Sequence, residues 1–209
     1  MAPASQTTDD SGLRPGFADP VHGAQQAFRQ ILQAMSRPGT IQECGGDLDP
    51  PPALSPAMAS VCLTLADADA PLWLSPALGT DASVGYLKFH CNAPVLDDVG
   101  RASFVLADAA GMPALDACAH GDDRYPDRSA TLVVEVPCLA TEGPGAWVLH
   151  GPGIETTARL ATEGLPGDFP ARWRDNAAQY PCGVDLILTC GSRLAALPRT
   201  TRIDDPAEG

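Results

Sequence analysis

Lysine is almost missing from this 209-residue chain, with Lys88 the only one among 13 basic residues. A Schiff-base cofactor needs a lysine amine, and the neighbours of Lys88 suggest a solvent-facing or snorkelling side chain. No cofactor is therefore expected. Positive charge is scarce overall: 26 acidic residues leave a net charge of −13. Such a balance repels phosphate backbones and anionic lipid, which argues against nucleic acid or a membrane surface as partner. No apolar run approaches the ~18 residues of a membrane span. The opening residues lack the basic segment and apolar core of a signal peptide, so the expected location is the cytoplasm.

Metal and redox motifs are also missing. The seven cysteines (Cys44, Cys62, Cys91, Cys118, Cys138, Cys182 and Cys190) are odd in number and never two to four residues apart. Reduced thiols acting as small hydrophobes fit better. The four histidines, His22, His90, His120 and His150, form no pair at metal spacing. No metal site is expected, although a Cys–His pair assembled in space remains open. The P-loop, the dinucleotide-binding glycine fingerprint and the Gly-x-Ser-x-Gly elbow are all absent. Gly151-Pro152-Gly153-Ile154 has glycines after a strand, but its proline removes an N–H that a phosphate would use, and a turn is the simpler reading.

What remains is a chain that can bury a core, at 44% hydrophobic and 19% charged. Residues 1–16 and 204–209 lack periodicity and read as disordered tails around one domain, 17–203. Asp19 and Pro20 open a first helix whose apolar stripe runs through Val21, Ala24, Phe28, Ile31, Leu32 and Met35. Ser36-Arg37-Pro38-Gly39 ends it. Ser55-Pro56 opens a second helix, and a third runs from about Asp81 to Cys91. A short helix is expected around Pro113 to Cys118, a polar loop from His120 to Arg128, and a last helix near Trp173. Strands are expected at 71–74, 103–107, 131–136, 147–149 and 184–189, with 194–197 beside the last. Helices and strands mixed in this way predict an α/β fold: a three-layer α/β/α sandwich with a mixed, mainly buried sheet.

Few residues stand out chemically. Asp185 interrupts an apolar strand and needs a partner. Arg199 is the natural one. Alternatively, Arg199 offers a bidentate fork to an anion, with Thr200 and Thr201 adding hydroxyls. Arg37 invites the same reading, and His90 joins them as an interface candidate. None of the five, Arg37, His90, Asp185, Arg199 and Thr200, completes a catalytic set.

Several segments together resemble a known family. Pro20-Val21, Ala24-Gln25, Phe28-Arg29, Ala34-Met35 and Pro38-Gly39 look like the first helix of the PhnH family, which serves bacterial carbon–phosphorus lyase. Leu63 to Asp67 with Pro71 to Ser75, and Phe89-His90 with Asn92-Ala93-Pro94, are similar to later parts of it. Gly183 to Cys190 followed by Leu194 to Thr201 is the strongest match. The resemblance implies a fold like the pyridoxal-phosphate transferases without the cofactor, and homodimers in isolation. It also implies a role with the G, I and J subunits, replacing the adenine of ATP by a phosphonate to give a ribose 1-phosphonate 5-triphosphate. The family has no catalytic residue to carry over. A free-standing anion-binding module, or an enzyme with its site at a dimer interface, is the competing expectation.

Overall fold

The computed structural model describes residues 14–204. The expected tails fall outside the described residues, except for residues 14–16 and Asp204. Residues 14–16 lie against the third helix, where the carbonyl of Arg14 is 2.9 Å from His90 Nε2.

Local chemistry sets the helices. In α1 (Pro20–Ser36), Asp19 Oδ1 accepts from the N–H groups of Val21 and His22 at 3.1 and 3.0 Å, and proline takes the first position. In α2 (Pro56–Leu65), Ser55 Oγ accepts from Met58 N. Thr80 caps α3 (Asp81–Cys91), which ends at Asn92 in the left-handed region. The fourth helix, α4, spans Phe169–Ala177. The short helix expected near Pro113 is a single 3-10 turn, Leu115–Ala117.

Six strands form the main sheet: β1 (Gln42–Glu43), β2 (Leu72–Leu74), β3 (Phe104–Asp108), β6 (Thr131–Glu135), β10 (Asp185–Cys190) and β11 (Arg193–Leu197). Their order is β1-β11-β10-β6-β3-β2. Strands β2, β3, β6 and β10 run parallel, while β11 pairs antiparallel with β10 and β1 with β11. The sheet is therefore mixed.

Alternation along these strands explains why both faces are covered. Leu106, Val133, Ile187, Leu194 and Ala196 point into a core with α1, α2 and α3. Val105, Leu132, Val134, Leu186, Leu188 and Leu197 point the other way. There they meet Phe169 and Trp173 of α4, and Leu149 and Leu160 of a second sheet. That four-stranded antiparallel sheet joins β12 (Arg202–Ile203), β8 (Trp147–His150), β9 (Ala158–Thr162) and β7 (Leu139–Ala140) in that order. One flank is thus wholly helical, whereas on the other α4 shares the cover with strands.

Two expectations change. The polar stretch from His120 to Arg128 is a hairpin, β4 (His120–Asp122) with β5 (Tyr125–Ser129), not a loop. Both its faces carry polar residues, so no alternation marked it as strand. On α1 the inward face is Ala27, Ile31 and Ala34, and the two alanines are small enough to allow close approach. Val21, Phe28 and Leu32 are left 64%, 49% and 54% exposed.

Candidate functional site at the carboxyl edge of the sheet

Four parallel strands bring their carboxyl ends to one edge, the place where open α/β sheets take ligands. Asp108 and Glu135 are paired across β3 and β6, and Glu135 and Thr189 across β6 and β10. The last polar residues of three adjacent strands therefore stand side by side. Beyond them opens a hollow of about 560 Å³ lined by Asp108, Ala110, Glu135, Pro137, Cys190 and Gly191, among others.

The two carboxylates are held differently. Glu135 Oε2 accepts from Ser55 Oγ and Thr189 Oγ1, each at 2.5 Å, and Oε1 accepts from Gly191 N at 3.0 Å. It ties the capping serine of α2 to the turn after β10. Asp108 Oδ1 accepts from Ser75 Oγ at 2.8 Å, and its Oδ2 has no hydrogen-bond partner among the described residues. Gly111 makes room for this pair, since an added Cβ would stand 2.5 Å from Asp108 Oδ1. Cys190 Sγ donates to the carbonyl of Pro137 at 3.5 Å, with Arg193 Nη2 3.8 Å from the sulfur.

The residues singled out from sequence lie elsewhere. Asp185 and Arg199 meet at the opposite, amino end of β10. Arg199 turns all five guanidinium N–H donors inward: Nε and Nη2 to Asp185, Nη1 to the carbonyls of Pro126 and Pro181, and Nη2 also to Ser129 Oγ. Thr200 follows in the same turn. His90 lies on α3, its ring tilted against that of Tyr86 at 4.5 Å between ring centres. Arg37 is exposed at the end of α1, beside the amide of Gln33. Asp185, Arg199 and Thr200 come together, and the other two stand apart. Lys88 is exposed on α3.

Asp108 and Glu135 were missed because neither belongs to a motif. Their signal was positional: each ends an apolar strand at the same level of the sheet. Among the described residues no group of three or more His, Cys, Asp or Glu side chains is placed to hold a metal ion. No helix among them is long and apolar enough to cross a membrane.

These features define a mixed α/β protein with an acid-lined hollow at the carboxyl edge and without a recognisable catalytic triad or phosphate cradle among the described residues. Residues 15–204 match the family described as bacterial phosphonate metabolism protein (PhnH). The chain is 41% identical over 189 residues to the alpha-D-ribose 1-methylphosphonate 5-triphosphate synthase subunit PhnH of Rhizobium meliloti, covering 90% of this chain and 94% of the relative. It is 35% identical over 182 residues to the putative C-P lyase subunit protein HtxG of Stutzerimonas stutzeri, covering 86% and 85%. The chain belongs to the PhnH family.

Proposed function

We propose that this chain is the H-type subunit of a bacterial synthase that replaces the adenine of ATP by a phosphonate, giving a ribose 1-phosphonate 5-triphosphate. The observation that carries this reading is 41% identity along nearly the whole of both chains to a subunit of that name. Its partners are the G, I and J subunits of the carbon–phosphorus lyase core, and its location the cytoplasm. Residues 17–203 act as one domain, related to the pyridoxal-phosphate transferases but working without that cofactor.

Within the complex the chain assembles and positions rather than reacts. Phosphonate and triphosphate are anions, and the hollow presents Asp108 and Glu135, whose charges repel them. The fork of Arg199 is already filled by protein acceptors. Cationic groups for the substrates come from partner subunits on this reading. Co-purification with the G, I and J subunits, followed by an adenine-release assay with ATP and methylphosphonate, tests it. Release by the complex, its loss when this chain is omitted, and none from the chain alone are expected. Steady release by the lone chain sinks the proposal.

A further inference from the structure

A cavity of about 250 Å³ opens on the helical flank, between α1, the turn after β1 and α2. Two of its lining residues form a buried polar pair: Cys44 Sγ and Ser60 Oγ lie 3.1 Å apart, in residues only 4% and 0% exposed. A thiol and a hydroxyl bring two hydrogens, and their mutual contact uses one. Neither atom has another acceptor among the described residues. A buried donor is therefore left over beside the cavity, which is costly unless something accepts from it.

The other lining groups narrow what that something is. Gln26, Glu43 and Asp47 are exposed on the cavity's rim. The side chains of Gln26 and Asp47 make no hydrogen bond among the described residues, and Glu43 takes only the hydroxyl of Ser192, at 3.2 Å. No lysine, arginine or histidine lines the cavity, so two carboxylates stand there without a cation and disfavour an anion. Phe17, Ala27 and Leu48 supply apolar wall. The Phe17 wall is fixed in advance. It packs so closely on α1 that a Cβ on Gly23 would stand 2.7 Å from its ring. The segment before it is gripped from α3, where Tyr86 Oη donates to the carbonyl of Pro15 at 3.4 Å and His90 Nε2 meets that of Arg14 at 2.9 Å. A preformed apolar slot with a few polar groups is the usual make-up of a small-molecule site.

We infer that this cavity binds an uncharged, flat nitrogen heterocycle that carries an amine, such as a free aminopurine. A ring nitrogen accepts the spare hydrogen of the Cys44–Ser60 pair, the ring lies against Phe17 and Leu48, and the amine donates to Asp47 and Glu43. The choice of adenine as probe rests on the proposed function, whose reaction releases it; the site itself does not. Binding to the purified full chain is measured by calorimetry with adenine, with hypoxanthine, whose carbonyl replaces the amine, and with AMP. Adenine is expected to bind one to one. Hypoxanthine, which turns an acceptor toward the carboxylates, and AMP, which brings a phosphate to them, are each expected to bind at least about tenfold more weakly. Asp47→Ala and Gln26→Ala change exposed residues, so circular dichroism should stay as in the wild type while adenine binding weakens by about tenfold for Asp47→Ala and less for Gln26→Ala. Asp123→Ala, exposed on the hairpin, is the control for general charge and should bind adenine as the wild type does. No heat at millimolar adenine overturns the inference. So does hypoxanthine or AMP binding as tightly as adenine, or adenine binding that survives both Asp47→Ala and Gln26→Ala. Adenine release is measured separately on the complex, so an empty cavity leaves the proposed function standing, and the reverse also holds.

Discussion

Arg199 closes on Asp185 through three hydrogen bonds: its backbone N–H and Nε to Oδ1 at 2.7 and 3.2 Å, and Nη2 to Oδ2 at 2.5 Å. The two side chains are only 14% and 17% exposed. This pair fastens the turn after β11 to the start of β10 and, through Pro126 and Ser129, to the hairpin.

Removing one partner strands the other's charge, so Arg199→Ala is expected to lower unfolding stability by about 3 kcal/mol. Urea denaturation followed by circular dichroism measures this. Arg199→Lys is expected to recover little, because an ammonium cannot reproduce the five-donor fork. Unchanged stability together with weakened methylphosphonate binding would favour an anion-binding role instead.

The helices were legible because their ends are written in local chemistry. Asp19-Pro20, Ser55-Pro56 and the left-handed Asn92 act on their nearest neighbours, and the bounds follow. The ion partner of Asp185 was legible for a similar reason: a carboxylate in an apolar strand needs a cation nearby. Less could be read of α1's orientation. Two apolar faces share one helical period, and only the assembled sheet decides that the alanine-rich one turns inward. The carboxyl-edge site was hidden because Asp108, Glu135 and Thr189 are joined by strand order, which no local pattern encodes.

Gly153 closes a second long-range contact. Its φ is +83°, and an added Cβ would overlap the carbonyl oxygen of Ser36 at the end of α1. Both backbone strain and the clash oppose any side chain there. Gly153→Ala is expected to cost about 2 kcal/mol by thermal or urea unfolding. Gly167→Ala, where the added Cβ meets nothing within 4 Å, is the control and should change little.

The hollow at the carboxyl edge is tested by a substitution that spares the fold. In Asp108→Asn the amide oxygen can still accept from Ser75 Oγ, so stability should stay within about 0.5 kcal/mol of wild type. If Asp108 Oδ2, which has no partner among the described residues, holds a group of a partner subunit, adenine release by the assembled complex falls by about tenfold, as expected for losing a charged hydrogen bond. Wild-type release by a complex carrying Asp108→Asn would remove the hollow from consideration.

The thiols give the pH dependence. Burial pushes up Cys62, with the neighbouring Cys91 adding to the effect, and raises Cys91 and Cys118 to about 11. Burial also raises Tyr86, to about 12, again with help from Cys91. Each group loses its proton more easily in the unfolded chain, where a thiol titrates near about 8.5 and a phenol near about 10. Their contribution to stability is therefore complete below about pH 8.5 and is lost as pH rises through the folded values. Urea midpoints should hold steady on the neutral side of that window and fall steadily from there toward pH 11. Cys91→Ala should flatten the slope even though it lowers the starting stability. Thiol labelling of the native protein supplies the second readout. Partly exposed Cys138, Cys182 and Cys190 are expected to react promptly, while buried Cys44, Cys62, Cys91 and Cys118 wait for unfolding. Prompt reaction of all seven thiols would show that these cores open far more readily than their packing implies.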